Sequence, residues 1–261
     1  MSTNHEPTGI RVQAVSISDA LGYRGQKAVA EAVGAGTDYR IVGGHMVRLL
    51  LHVYPTPGVI LRSTTDADTA LGTVDVVGPL SENLMSQDFI KEGGNSFYRE
   101  LTEGHRIEVN VLLSREGPAR GLRPTVVPGV GQVDSLPELR FALMSPALVI
   151  DVVADLGEGE WIEYRTQIPG MEAATVLKAH SWRERRSEKD VADLHSLLEI
   201  REAHPDVPWR LGESGQIGFR RDTATILKDL GARIVHKNVA FSVPSYLDRL
   251  RFAALIAKHI A

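Results

Sequence analysis

Tyr39-Arg40-Ile41-Val42-Gly43-Gly44 reads as a short strand ending on two glycines, and His45 to His52 follows as a mostly apolar helix that Pro55 and Pro57 stop. Val59-Ile60-Leu61 then leads into a second strand bearing Arg62-Ser63-Thr64-Thr65-Asp66-Ala67-Asp68. This order of strand, Gly-Gly, helix, and strand with Asp-x-Asp restricts the fold more than any other feature, because the prolines forbid a longer helix and force the chain back into extended backbone. Carboxylates at i and i+2 of a strand project to one side of a sheet. Oxygen donors of that kind suit Mg²⁺ or Mn²⁺, and Mg²⁺ is commonly held by one or two carboxylates plus water and substrate phosphates. The glycines complete the chemistry: a strand ending in Gly-Gly before a helix lets phosphate approach backbone N–H groups and the positive end of the helix dipole. His45, at the helix start, is placed to contact such a phosphate, and Thr64 to hydrogen-bond it.

Other patterns fill in the frame. Ser16 to Asp19 begins a helix that runs to about Val33, where Gly34 and Gly36 end it. Leu71 to Val77 extends the acidic strand or forms its hairpin partner, with Asp75 facing solvent. Residues 79–95 suggest a short helix and a glycine-rich turn. Arg106 to Leu112 alternates, with Ile107, Val109 and Val111 on one face and Glu108 and Asn110 on the other. Residues 114–137, rich in Gly and Pro, read as loop with short extended pieces. Leu148–Val153 and Trp161–Arg165 form strands joined through Gly157-Glu158-Gly159.

From Met171 onward the period becomes helical. It sets Ala174, Leu177, Lys178, Ser181 and Trp182 on one face, so Lys178 points inward and needs a partner, for which a triphosphate or an active-site carboxylate is suitable. Ser187 with Asp190 three residues on resembles a capping box for the next helix, and Asp193 lies one turn after Lys189, in reach of a surface ion pair. The histidines show no zinc-site spacing.

Three blocks of this sequence resemble the AbiEii/AbiGii-type nucleotidyltransferases of bacterial toxin–antitoxin systems. They are Val42-Gly43-Gly44-His45 through Thr64-Thr65-Asp66-Ala67-Asp68, the strand His105 to Leu112, and Leu177-Lys178 followed by Arg183 and Lys189-Asp190-Val191-Ala192-Asp193-Leu194. The resemblance implies an α+β fold, a polymerase-β-like nucleotidyltransferase core with a mixed sheet, followed by a C-terminal helical region. It implies that Asp66, Asp68 and Glu108 hold Mg²⁺ or Mn²⁺, with Glu108 as the third acid. Gly43, Gly44, His45, Arg62 and Thr64 would bind the triphosphate, joined by Asp193, while Lys178, Lys189 and Asp190 act near its phosphates. The implied reaction transfers a nucleoside monophosphate from a nucleoside triphosphate to an acceptor hydroxyl, with a tRNA 3′ end as acceptor and an antitoxin protein as partner. Two alternatives remain: transfer to a small molecule or protein hydroxyl, and a nucleotide-binding or interaction protein without catalysis.

A length of 261 residues suits a nucleotidyltransferase core over 14–170 and a helical region over 171–261, with 1–13 as a flexible tail. Without cysteine there are no disulfides or thiolate metal sites, which fits a cytoplasmic setting. No apolar run is long enough to span a membrane. A net charge of −4 excludes coating of nucleic acid through bulk charge, although Arg183, Arg185 and Arg186 make one segment locally basic.

Overall fold

The computed structural model describes residues 6–34, 36–101, 104–117 and 121–261. They form an α+β structure in two compact units. The first runs to Val53 and resumes over Arg62–Pro169; the second comprises Tyr54–Leu61 and Gly170–Ala261. Among the described residues no helix is long and apolar enough to cross a membrane.

In the first unit, β1 (Thr8–Gln13) precedes α1 (Ile17–Ala32). Residues 8–13, expected in a flexible tail, therefore belong to a sheet; residues 1–5 of that tail lie outside the described residues. The alternation Ile10/Val12 gives β1 a buried face, and it pairs in parallel with β9 (Ala147–Gly157). β9 and β10 (Glu160–Pro169) form a hairpin turned by Gly157-Glu158-Gly159, all three at positive φ.

A second, mixed sheet carries β2 (Tyr39–Ile41), β3 (Ala67–Leu71), β6 (Arg106–Ser114), β5 (Ser96–Glu100) and β4 (Ile90–Glu92) in that order. β3 is antiparallel to β2 and parallel to β6. The hairpin β7 (Arg123–Val127) and β8 (Gly131–Leu136) joins it along β6, so the region expected to be loop is partly sheet; Pro118, counted in that loop, lies outside the described residues. Helices α2 (Gly43–Val53), α3 (Val77–Ser86) and α4 (Glu138–Met144) complete the unit. Leu71 ends β3, and the expected extension to Val77 is instead a 3-10 turn, Val74–Val76, that feeds α3 and contains Asp75. Gly72 interrupts the strand pattern at that point.

α1 illustrates how local chemistry sets a boundary. Ser16 has extended backbone and its hydroxyl accepts from the Asp19 amide, while the Asp19 carboxylate accepts from the Val15 amide at 3.1 Å. The two bonds tie the first turn of the helix to the residues just before it.

The second unit is helical: α5 (Met171–Arg185), α6 (Glu188–Ala203), α7 (Gly218–Ile234) and α8 (Arg249–His259). Their shared core includes Trp182, Leu194, Leu198, Leu227, Leu230 and Phe252. α5 ends where Arg186 adopts a left-handed conformation, and Asp248 caps α8 by accepting from Leu250 and Arg251. The segment 54–61 belongs to this unit, with the Tyr54 and His204 rings 5.5 Å apart and the His204 Nε2 3.0 Å from the Pro55 carbonyl.

Candidate active site at the glycine turn and the acidic strand

The strand β3 places Asp68 as its second residue and Asp66 just before it. Both are half-buried, on either side of the fully buried Ala67. In the parallel register Asp68 stands opposite Asn110 of β6, and Asn110 Nδ2 donates to Asp68 Oδ1 at 3.2 Å. Ser96 donates in turn to Asn110 Oδ1 at 2.9 Å, fixing the orientation of that amide. Thr64 Oγ1 lies 3.3 Å from Asp66 Oδ1 and donates to it.

Gly43 opens α2 with φ +69°, a conformation that costs a residue with a Cβ about 1–2 kcal/mol. A Cβ there would also fall 2.2 Å from Asp68 Oδ2. At Gly44 it would fall 2.6 Å from Arg62 Nη2 and 3.1 Å from Thr64 Cβ. The missing side chains thus bring the positive end of α2 against an acid, a guanidinium and the carbon atoms of the Thr64 side chain. This donor set fits a divalent cation of the Mg²⁺ class: two carboxylates on one face, one of them oriented by an amide, leaving the remaining positions to water and phosphate. Gly43→Ala is expected to push Asp68 aside. If the site holds a metal, activity that depends on it should fall far more than stability, which should drop by roughly 1–2 kcal/mol; parallel activity assays and urea unfolding check this.

Glu108 lies on the same face of β6 as Asn110, and continuing the register sets it level with Asp66. Its carboxylate, however, accepts from Arg106 Nε at 2.5 Å. Among the described residues no three His, Asp or Glu side chains gather closely enough to hold a metal ion. The side chain that β6 delivers to the acids is Asn110, which sequence reading placed on the polar face without giving it a task.

His45, expected at the phosphate, is turned into the core and 1% exposed. Tyr164 donates to Gln26 Oε1 at 3.1 Å, so the Gln26 amide nitrogen faces His45 Nδ1 at 2.9 Å and the imidazole proton sits on Nε2. Among the described residues that buried Nε2 has no hydrogen-bond partner. Burial drives its pKa down to about 3, against the opposing pull of the Asp66 charge. The native protein therefore keeps His45 neutral while the unfolded chain takes up a proton below about pH 6.5. Stability should fall as pH drops, with a slope of about 1.4 kcal/mol per pH unit from this group across that window. His52, lowered to about 4 by burial, adds to the same slope. Urea midpoints at a series of pH values should show a shallower acid-side slope for His45→Gln than for the natural chain.

In the second unit Lys178 is buried, as its position on the helix predicts, and its partners are carboxylates of α6. Nζ lies 2.6 Å from Asp193 Oδ2 and 3.8 Å from Asp190 Oδ1. Asp190 is also gripped by Arg185, whose Nη2 is 2.8 Å from Oδ1. Asp193 thus faces inward to Lys178, where a surface pair with the exposed Lys189 was expected. Ser187 does cap α6, through the Lys189 amide, while Asp190 turns its carboxylate to the cations. A 3.6-residue period explains the geometry: positions 190 and 193 share the face of α6 that meets α5.

No protein-family model and no curated protein matches this chain. Among solved structures it is similar to an antigenic nucleotidyltransferase-like protein from Paracoccidioides brasiliensis, with 14% identity and a TM-score of 0.44 over 81% of this chain and 88% of that one. It is also similar to the CD-NTase CdnG of Bradyrhizobium diazoefficiens, solved in complex with GTP, with 10% identity and a TM-score of 0.26 over 94% of this chain and 89% of that one. Both scores are low, and the functional reading rests on the chain's own geometry.

Proposed function

We propose that this chain is a divalent-metal-dependent nucleotidyltransferase. The observation that carries the proposal is the contact between the glycine turn and the acidic strand: Gly43 at the start of α2 is packed on Asp68, and Asp66 stands two residues before it, where strand alternation sets it on the same side. Asp66 and Asp68 would hold Mg²⁺ or Mn²⁺, which when bound supplies charge neutralisation at the phosphates. The α2 N-terminus at Gly43 and Gly44 receives anionic phosphate, and Arg62 and Thr64 stand over Gly44 to bind it. An acceptor hydroxyl attacks the α-phosphorus of a nucleoside triphosphate; the new P–O bond forms as the bond to the bridging oxygen breaks, and pyrophosphate leaves. Glu108, on the same face, accepts the hydroxyl proton after parting from Arg106.

The motif order shared with AbiEii/AbiGii-type toxins supports a finer reading: a cytoplasmic toxin that modifies the 3′ end of tRNA and is restrained by an antitoxin. Purified protein with Mg²⁺, bulk tRNA and each labelled triphosphate in turn should label the RNA and release pyrophosphate. Asp66→Ala should abolish labelling, and labelling that survives it rules out the metal assignment. Acceptor screens with small molecules and proteins distinguish other hydroxyl substrates. The Arg106–Glu108 pair favours one further reading, nucleotide binding without transfer, which triphosphate binding with no pyrophosphate release would identify.

A further inference from the structure

Arg48 lies in the middle of the apolar run of α2, yet it is 2% exposed. A guanidinium there has no neutral form to retreat to, so burial demands that its donors be met. They are, and by four residues from three separate stretches of chain. Nη1 and Nη2 make the paired hydrogen bonds to Asp19 at 2.9 and 3.1 Å, and Nε donates to the Tyr23 hydroxyl at 2.8 Å. Nη2 also reaches the Gln13 carbonyl at 3.5 Å, at the end of β1. Nη1 donates to the Arg62 carbonyl at 3.3 Å. Arg62 lies in the irregular segment that leads to Asp66, and its own guanidinium lies on Gly44.

We infer that Arg48 is a positioning residue that sets segment 62–66, and with it the Asp66 carboxylate, from inside the core. The part of this inference that concerns metal binding rests on the proposed function; the part that concerns the segment does not. One planar fork belongs to the same helix whose first residues form the glycine turn, so turn and acidic segment share a single rigid reference. Asp19 makes that reference firm, because it is completely buried and is itself fixed by the Val15 amide. Ser16, beside it, meets Ser63 through their hydroxyls at 3.3 Å, a second and more exposed tie to the same segment. A lysine at position 48 would keep the charge but, being a single ammonium, could not span Asp19, Tyr23 and the Arg62 carbonyl together.

The test compares the full-length natural chain with Arg48→Lys and with the double variant Arg48→Met/Asp19→Leu, which removes the buried charges together and so guards against simple unfolding. Hydrogen exchange read by mass spectrometry should show residues 62–66 exchanging about tenfold faster or more in both variants, with β6 and β9 unchanged. Apparent KM for Mg²⁺ should rise about 10- to 100-fold while kcat at saturating metal stays close to that of the natural chain. A segment that keeps its natural protection in Arg48→Lys, or in a stably folded double variant, overturns the inference. Should the natural chain show no metal-dependent transfer, the functional reading fails, while the exchange comparison still decides whether Arg48 sets the segment.

Discussion

Asp68→Asn is expected to reduce nucleotidyl transfer by on the order of a thousandfold or more, close to the loss of about 4 kcal/mol of transition-state stabilisation. The substitution keeps the size of the side chain and one oxygen, so it removes charge with little change in packing. Asn110 Nδ2 now donates to Asp68 Oδ1, and an amide placed at 68 can still accept that bond through its oxygen. Stability should therefore change by less than about 1 kcal/mol, a surface-like effect for a half-buried position. Steady-state assays over a range of Mg²⁺ concentrations would measure the loss. Raising Mg²⁺ should not restore the rate, because in the proposed site the missing charge belongs to the metal's own shell. Full activity in Asp68→Asn would show that β3 does not hold the metal.

The parts of this site that were legible in the sequence are those governed by short-range rules. The close approach of Gly43 and Gly44 to the strand of Asp66 and Asp68 could be anticipated because strand periodicity and the glycine requirement at a tight approach act within a few residues. The same holds for the faces of β6, where Ile107, Val109 and Val111 are buried as their alternation indicates. What escaped depends on partners distant in sequence. Asn110 gains its task through a parallel pairing with β3, and register across a crossover is not written locally. Arg48 did leave a signal, a charge inside an apolar helix face, but its partner Asp19 lies 29 positions away and reads locally as part of a helix cap. His45 was misplaced for a related reason. Its position at the helix start suggested phosphate, while Gln26 and Tyr164, which draw the ring into the core, come from α1 and β10. Residues 8–13 were assigned to a tail because β1 has a partner only when β9, about 140 positions later, is in place.

Lys178→Met should destabilise the second unit by about 3–5 kcal/mol, the usual cost of removing one member of a buried ion pair. Its side chain is 6% exposed, and those of Asp190 and Asp193 are 0% and 4% exposed, so solvent offers the remaining carboxylates little help. Arg185 continues to serve Asp190, which leaves Asp193 as the charge whose nearest cation is gone. Methionine fills most of the space that the lysine stem occupies, so a large loss would report on charge and not on a cavity. The double variant Lys178→Met/Asp193→Leu separates these effects further, because it takes both charges out of the interface between α5 and α6 and should recover most of the loss. Thermal unfolding followed by tryptophan fluorescence is the appropriate measurement, since Trp182 and Trp209 both belong to this unit and Trp182 is 1% exposed. A single variant as stable as the natural chain would mean that Asp193 is held by other groups and that Lys178 is not needed to hold α5 on α6. The expected pattern, a severe single variant rescued by the double, would instead assign Lys178 to the packing of its own unit, a task that its place in the Lys178, Lys189-Asp190 and Asp193 motif does not disclose.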